Sequence, residues 1–274
     1  MAALASPVGG LPRALTIAGS DSGGGAGIQG DLKVFFELGC HGTSAVTALT
    51  AQNTRGVSAI HEVPPEFVHA QIDAVASDIG VDAAKTGMLS SPAIVEAVAK
   101  SVEVHGIERL VVDPVFVSKH RDRLLGEDAV GALRDRLLPL AALVTPNLFE
   151  AEGLLDAPVR TLPEMRAAAE ALHALGPRAV LVKGGHHDTG DEAIDVLYDG
   201  RKMTDLVGPR YDTADTHGTG CALSAAATAR LAHGESMEDA VRYAKEFVSG
   251  AIRRGLRLGQ GFGPVNPGWR RAPV

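Results

Sequence analysis

The sequence predicts an α/β fold in which helices cover both faces of a mostly parallel sheet. Short apolar runs alternate with longer segments of helical periodicity, as in the series 14–18, 28–38 and 44–49. Such alternation is the pattern of strands joined by right-handed helical crossovers. The chain is also 45% hydrophobic but only 4% aromatic, a composition that suits helices packed closely on a buried sheet. We see no repeat and no linker in residues 1–274, so we expect one domain, with loose tails at 1–11 and 266–274.

Local signals support each element of the first half of the chain. The helix at 28–38 places Ile28, Leu32, Phe35 and Phe36 on one face. Two prolines precede the helix at 66–77, and Pro92 lies in the first turn of the next helix. The pattern predicts strands at 14–18, 44–49, 83–85 and 110–113, and helices at 28–38, 66–77 and 92–104.

The second half continues the alternation and ends in two helices. Asp199-Gly200 between the runs 194–198 and 202–206 is a typical hairpin turn. An Ala-rich helix follows the glycines at 218 and 220. The pattern predicts helices at 127–137, 163–174, 220–232 and 237–254, a helix starting at Asn147, and strands at 143–145 and 179–183.

Composition excludes several classes of protein. The net charge of −7 argues against a nucleic-acid partner. No apolar run is long enough to span a membrane, and the first residues lack the basic region of a signal peptide. Two cysteines, Cys40 and Cys221, form no disulfide framework, so we expect a cytoplasmic protein.

Gly218-Thr219-Gly220-Cys221 is the strongest candidate site. Glycines before a helix allow successive backbone N–H groups to point at one anion, and the helix terminus adds partial positive charge. That arrangement suits the charge on a migrating phosphoryl group. A cysteine in the first helical turn is expected to have a lowered pKa and could accept a proton from a hydroxyl. The alternative is a Gly-rich helix cap beside a structural cysteine.

The Gly-rich segment Gly19–Gly27 does not match the usual nucleotide motifs. It lacks the Lys-Ser/Thr ending of a Walker A loop, and Gln52-Asn53 stands where a dinucleotide fingerprint needs an acidic residue. We expect instead a flexible loop that closes on a substrate. Asp31, early in the next helix, would then face the substrate, and the Gln52 amide could pair with a heteroaromatic ring.

Other polar residues follow predicted strands, where ligands bind in open α/β sheets. Asn147 and Glu150 are spaced as a helix cap or as an anchor for Mg²⁺, and Asp113 could serve the same ion. Lys183 could contact nucleotide phosphates. Adjacent His186 and His187 rarely chelate one metal, so we expect no transition-metal site there.

The chain closely resembles the hydroxymethylpyrimidine/phosphomethylpyrimidine kinases of thiamine biosynthesis, within the ribokinase-like superfamily. The resemblance extends from about residue 14 to about residue 265. The strings that carry it are Ala14–Asp21, Gly23–Asp31, Ala51–Thr54, Lys85–Met88, Val111–Val115, Thr145–Glu150, Val182–His186 and Thr216–Cys221.

This resemblance implies a ribokinase-like three-layer α/β/α sandwich and a homodimer. It implies ATP-dependent phosphorylation of 4-amino-5-hydroxymethyl-2-methylpyrimidine and then of its monophosphate, with Mg²⁺ and with a monovalent cation left open. By family analogy, Cys221 is the general base. The analogy gives an anion hole at Gly218, Thr219 and Gly220, substrate contacts at Gly19, Asp31, Gln52, Met88 and Val115, ATP contacts at Asn147, Glu150 and Lys183, and metal ligands at Asp113 and Glu150.

Two departures from the family pattern and three alternatives remain. His120 and Arg121 replace a small residue and a glycine, and Asp215 replaces an asparagine and adds negative charge near the phosphates.

A pyridoxal or pyridoxine kinase would use the same scaffold. A thiol acyltransferase or hydrolase would use Cys221 as nucleophile with His217 as base. A binding regulator would keep the fold without turnover.

Overall fold

The computed structural model describes residues 10–116, 127–185 and 192–271. Its centre is a nine-stranded sheet in the order β3-β2-β1-β4-β5-β6-β7-β8-β9. The six strands from β2 to β7 in this order run parallel, while β3, β8 and β9 pair antiparallel at the two edges. The predicted mostly parallel sheet is therefore confirmed.

The elements follow the predicted alternation closely. The strands are β1 Arg13–Asp21, β2 His41–Asn53, β3 Gly56–Glu62, β4 Ala83–Thr86, β5 Leu110–Val112, β6 Leu143–Val144, β7 Val180–Lys183, β8 Glu192–Tyr198 and β9 Met203–Pro209. The helices are α1 Gly27–Glu37, α2 Pro65–Ala74, α3 Pro92–His105, α4 Glu127–Ala132, α5 Leu148–Leu155, α6 Leu162–His173, α7 Thr219–Ala232 and α8 Met237–Arg253. Wider π-type turns extend α2 and α4, at Val75–Ile79 and Leu133–Leu137.

Two apolar cores flank the sheet and create the three layers. One core joins side chains from α2 to α6 with the sheet, and Ile72, Val98 and Leu172 are among its fully buried members. The other lies under α1, α7 and α8, where alanines of α7 allow close packing. Because the parallel strands all end on the same side, their following loops meet along one edge of the sheet.

Strand β3 was not expected from the sequence. Five of its seven residues are exposed, so it lacks the buried alternation that marks a strand. It forms because β2 extends to Asn53 and offers an unpaired edge, with which Gly56–Glu62 pairs antiparallel after a short turn.

The C-terminal segment differs from the expected loose tail over residues 266–271. Trp269 packs beside Phe247 of α8, with ring centroids 6.4 Å apart, and the Asn266 amide donates to the Ala251 carbonyl. Arg271 forms an ion pair with Glu37 of α1. An indole contact of this kind is strong enough to order a terminus that is polar by composition.

Candidate active site

A cleft of about 1040 Å³ lies beyond the carboxyl ends of the parallel strands. Twelve of the thirteen predicted site residues line it. These are Gly19, Gln52, Met88, Asp113, Val115, Asn147, Glu150, Lys183, Gly218, Thr219, Gly220 and Cys221. The parallel sheet thus brings together side chains separated by up to two hundred residues in sequence.

The start of α7 forms the predicted anion-binding turn. Gly218 is the N-cap with φ +82°, a conformation that other residues rarely adopt. A Cβ at this position would also collide with the carbonyl oxygen of Gly25, so the Gly-rich segment rests directly on the helix terminus. The Thr219 amide donates to the Thr216 carbonyl at 3.3 Å, whereas the amides of Gly220 and Cys221 have no acceptor within the helix, and all three residues line the cleft.

Asp21 organises the Gly-rich segment. Its carboxylate accepts hydrogen bonds from the amides of Gly23, Gly25 and Ala26 at 2.8, 3.0 and 2.9 Å, and from Nε2 of His217 at 2.8 Å. Burial would raise the pKa of Asp21, but His217 and the amides hold it below its ordinary value. The segment is therefore anchored around one buried anion, and its closing on a substrate stays a prediction.

Lys183 and Asp113 form an ion pair beside the helix terminus. The Lys183 Nζ lies 2.9 Å from Oδ1 of Asp113, and a Cβ on Gly220 would lie 3.4 Å from that Nζ. Hydroxyls of Thr145 and Ser224 also donate to the Asp113 carboxylate, each at 3.1 Å. Burial would raise the pKa of Asp113, but the positive charge of Lys183 holds it below its ordinary value.

Asn147 and Glu150 cap α5 reciprocally, as their spacing predicts. The Glu150 amide donates to Oδ1 of Asn147 at 2.9 Å, and the Asn147 amide donates to Oε2 of Glu150 at 2.8 Å. The Glu150 side chain is nonetheless buried in the cleft wall. Burial, reinforced by the nearby negative charge of Asp113, raises the pKa of Glu150 to about 7 against the attraction of Lys183.

These residues fit a magnesium ion held mostly by nucleotide phosphates. A buried carboxylate with a raised pKa is the kind of group that a cation returns to its ionised form, and Glu150 is such a group. Mg²⁺ usually takes one or two protein carboxylates and several phosphate or water oxygens. The Asp113 carboxylate accepts from Lys183, Thr145 and Ser224, and its role as a metal ligand stays a prediction.

The described residues contain no preformed protein metal cluster. Over 10–116, 127–185 and 192–271, no three His, Cys, Asp or Glu side chains converge on a common point.

Over the same ranges, no helix combines the length and the apolar character needed to cross a bilayer.

Asp31 is the predicted site residue that does not reach the cleft. Its side chain is fully buried, where Oδ2 accepts hydrogen bonds from Thr16 Oγ1 at 2.6 Å and from Lys85 Nζ at 2.9 Å. This buried position corrects the prediction that Asp31 faces the substrate. Helix α1 turns this position toward β1 and β4, so the carboxylate supports Lys85, which does line the cleft.

The Cys221 thiol is less acidic than its place in the first turn of α7 predicts. Burial raises the pKa of Cys221 to about 11, and the positive charge of Lys85 only partly offsets this effect. The carboxylates of Asp31 and Asp113 act in the same direction as burial. The sequence shows the helix terminus but not these buried acids, so the expected lowering of the pKa was wrong.

Of the residues that depart from the family pattern, the structure describes Asp215 but not His120 or Arg121. The Asp215 side chain lies against Gly255 and Gly263, forms a 3.8 Å ion pair with Arg257 and does not belong to the cleft lining. His120, Arg121, His186 and His187 lie outside the described residues. Phe116, four positions before His120, is buried and packs edge-on to Phe149, with ring centroids 6.5 Å apart.

Sequence reasoning assigned no site role to Asp21 or Lys85 and considered His217 only as a base for a nucleophilic cysteine. One signal for Asp21 was available, since an aspartate that opens a glycine-rich turn commonly accepts from the amides that follow it. The burial of Lys85 had no comparable signal, because a lysine within a short strand is usually read as solvated.

Comparison with known proteins assigns the family. The profile described as phosphomethylpyrimidine kinase matches residues 21–266. The Streptomyces coelicolor hydroxymethylpyrimidine/phosphomethylpyrimidine kinase is 52% identical over 259 residues, covering 94% of this chain and 95% of that protein. The Geobacter sulfurreducens thiamine biosynthesis bifunctional protein ThiED is 52% identical over 92% of this chain, which spans about half (51%) of that longer relative.

Solved structures give the same fold. An ADP complex of Bacillus subtilis pyridoxal kinase superposes with a TM-score of 0.90 and 40% identity, covering 96% of this chain and all of that one. The three-layer ribokinase-like architecture predicted from the sequence is thereby confirmed. On the match over residues 21–266 and the identity to full-length relatives, the chain belongs to the phosphomethylpyrimidine kinase family.

Proposed function

We propose that this chain uses ATP to phosphorylate 4-amino-5-hydroxymethyl-2-methylpyrimidine and then the resulting monophosphate. The observation that carries the proposal is the position of Cys221. It ends the anion-binding turn of α7 and lines the same cleft as Gln52 and Met88. A proton acceptor thus lies where a phosphoryl group and an aromatic alcohol can meet.

One part of the cleft suits a flat pyrimidine. Met88 packs closely on Gly19, since a Cβ on Gly19 would lie 3.2 Å from Sδ of Met88, and both residues line the cleft, where the polarisable thioether can contact a ring. Gln52 provides an amide to the same cleft. Its Oε1 lies 3.1 Å from Thr50 Oγ1, which also donates to the Ser20 carbonyl at 2.9 Å, and its Nε2 lies 3.5 Å from Nε2 of His217. An amide can both donate to and accept from a heteroaromatic ring. Val115 completes the lining that we assign to the substrate.

The other part suits the nucleotide phosphates. The N–H groups of Thr219, Gly220 and Cys221 would surround the transferring phosphoryl group, with Lys183 as a point charge next to Gly220. Asn147 and Glu150 lie on the wall near Lys183, where Glu150 would contact a magnesium ion bound to the phosphates. The ion, when bound, neutralises negative charge on the phosphate oxygens.

For the alcohol, the reaction needs one proton acceptor. The hydroxymethyl oxygen forms a bond to the γ-phosphorus, the bond from that phosphorus to the bridging oxygen of ADP breaks, and the hydroxyl proton passes to the Cys221 thiolate. The role of the backbone turn is to fix donors where charge develops, which requires no reorganisation during the step.

A steady-state assay tests the proposal. Purified protein is mixed with MgATP and either the pyrimidine alcohol, its monophosphate or pyridoxal, and ADP release is followed for each. We expect turnover of both pyrimidines. Absence of ADP release with both would overturn the proposal and favour a binding protein.

Pyridoxal is the second candidate substrate. The likeness to the B. subtilis pyridoxal kinase structure at TM-score 0.90 supports it, because pyridoxal also presents a hydroxymethyl group on a six-membered heteroaromatic ring. In the same assay, a kcat/KM for pyridoxal above that for the pyrimidine alcohol would reverse the order of the two candidates.

We also propose that the chain acts as a single kinase domain in a cytoplasmic homodimer. Two free cysteines support a reducing compartment. Exposed apolar side chains on β2, β3 and α2, namely Leu49, Ile60 and Phe67, support a contact surface between copies. Light scattering on the purified protein tests the dimer, and a monomeric mass at micromolar concentration would refute it.

A further inference from the structure

A fully buried lysine lies in the lining of the cleft. Lys85, at the third position of β4, has no exposed surface, and neither has its partner Asp31. Its Nζ lies 2.9 Å from Oδ2 of Asp31, and a Cβ on Gly87 would lie 3.0 Å from the same Nζ. Burying a charged pair removes the hydration of both ions, a cost that the attraction between the charges only partly offsets. A purely structural role therefore does not account for a charged lysine at this position.

The Lys85 ammonium has more hydrogen-bond donors than it uses within the described residues. An ammonium has three N–H groups, and within the described ranges Lys85 donates one hydrogen bond, to Asp31. Burial alone would lower the pKa of Lys85, but Asp31 raises it above its ordinary value, so the group stays cationic at neutral pH. Lys85 thus presents a fixed positive charge to the floor of the cleft.

Cys221 lies close to this charge, because α7, which carries Cys221, packs directly on β4, which carries Lys85, and both residues line the same cleft. Four charged groups act on the thiol from the surrounding elements, namely Lys85 of β4, Asp31 of α1, Asp113 after β5 and Lys183 of β7. Both cations are paired with a carboxylate, Lys85 with Asp31 and Lys183 with Asp113. Lys85 is the cation that most opposes the effect of burial on the thiol, so its charge favours a thiolate in this otherwise acidic setting.

The two proposed acceptors differ in their need for a base. An alcohol loses a proton as it attacks phosphorus, whereas a phosphate monoester is already mostly ionised at neutral pH, since its second pKa is about 6. A proton acceptor contributes roughly 10²–10⁴-fold to a step that needs one. It contributes far less to a step whose nucleophile carries no proton.

We propose that Lys85, fixed by Asp31, is a positioning residue that stabilises the thiolate of Cys221 for phosphorylation of the alcohol and is dispensable for phosphorylation of the monophosphate. The inference rests on the proposed function. In the alcohol step the thiolate becomes a thiol, the ester oxygen keeps the new P–O bond, and ADP leaves. In the monophosphate step an ionised phosphate oxygen forms the P–O bond, and Cys221 takes no proton.

The first variant is Lys85→Met, and the second is the doubly neutral Lys85→Met/Asp31→Asn. Breaking one partner of a buried pair is more disruptive than neutralising both, so the double variant guards against misfolding. Both are made in a Cys40→Ser background, so that iodoacetamide reports on Cys221 alone. Lys245→Met is the control for alkylation, because Lys245 forms a largely buried pair with Asp195 at 2.7 Å in the same cleft.

The expected result has two parts. Relative to the background protein, kcat for the alcohol falls by roughly ten- to a hundredfold in both variants, while kcat for the monophosphate changes by less than about threefold. The pH midpoint of Cys221 alkylation rises by about one unit or more in both, and it stays unchanged in Lys245→Met. A merely structural role of Lys85 predicts neither the selectivity for the alcohol nor the displaced midpoint.

Other outcomes overturn the inference separately from the proposed function. Equal losses with both acceptors would assign Lys85 to phosphate binding or to folding. An unmoved alkylation midpoint would show that the lysine does not act on the thiol. A background protein that turns over neither pyrimidine would defeat the proposed function, whereas the alkylation midpoint would still decide whether Lys85 stabilises the thiolate.

Discussion

His217 donates a hydrogen bond from Nε2 to Oδ2 of Asp21 at 2.8 Å, across 196 positions of sequence. Asp21 also holds the Gly-rich turn, and His217 directly precedes Gly218 at the start of α7. The pair therefore fixes two backbone segments against each other at the point where the phosphoryl group is proposed to move. Preorganised donors of this kind are most effective when they cannot relax away from the charge.

Replacing His217 by Ala is expected to loosen this junction. The Asp21 carboxylate loses a charge-assisted hydrogen bond, and the turn it anchors can shift relative to α7. We expect kcat for the pyrimidine alcohol to fall by roughly ten- to a hundredfold. Stopped assays over a range of ATP concentrations measure this. His217→Gln, which keeps a donor, is the control, and equal loss in both variants would contradict a positioning role.

Replacing Cys221 by Ala is expected to lower kcat for the alcohol by roughly 10²–10⁴, the contribution of a general base. The measurement is ADP release under saturating MgATP. Cys40→Ala is the matched control, since Cys40 is buried below α1 and contacts the Ala229 carbonyl rather than the cleft. An unchanged kcat in Cys221→Ala would exclude the thiol as the base.

The rate of alcohol phosphorylation is expected to rise with pH from about 7 towards about 10. Because burial raises the pKa of Cys221 to about 11, the thiolate fraction still increases tenfold per unit over this range. The pH profile of kcat for the alcohol measures the effect, with the monophosphate as internal comparison. A flat alkaline limb for the alcohol would contradict the assignment.

Replacing Glu150 by Gln is expected to change stability in a pH-dependent way. The carboxyl has its pKa raised from 4.5 to about 7, so the folded state holds the proton more tightly than the unfolded state. Its contribution to stability is therefore fully present below about pH 4.5 and is lost as the pH rises through about 7.

Glu150→Gln removes the free-energy cost of holding an ionised carboxylate in this buried position at high pH. We expect the variant to gain on the order of 1–3 kcal/mol relative to the parent at pH 8 but not at pH 4.5, while losing kinase activity. Urea unfolding at both pH values checks the first expectation. The same stability difference at both pH values would show that the carboxyl does not titrate as described.

Gly250→Ala is expected to destabilise the protein by roughly 1–3 kcal/mol, because the added Cβ would collide with the Trp269 ring. Gly131→Ala is the control. Among the described residues, no atom outside its own helix backbone and its chain neighbours lies within 4 Å of the added Cβ, and alanine favours the helix by about 1 kcal/mol. Thermal unfolding of both compares them. A Gly250→Ala protein as stable as the parent would show that Trp269 does not dock firmly on α8.

The sequence by itself determined the order of strands and helices and the position of the site. Period-2 and period-3.6 patterns are local, and so are the Gly218–Cys221 turn and the Asn147–Glu150 cap, whose geometry follows from residues a few positions apart. The carboxyl ends of parallel strands must meet at one edge, so twelve predicted residues line one cleft. Strand β3 was missed because an exposed edge strand has no buried face to set a pattern.

Only the tertiary structure decided the charges around the site. The rotation of α1 against the sheet places Asp31 beneath the cleft with Lys85, not at its surface. The joining of Asp21 to His217 and the raised pKa of Cys221 depend on groups brought together from distant positions. Electrostatic energy depends on distance and on burial, and neither quantity is contained in sequence spacing.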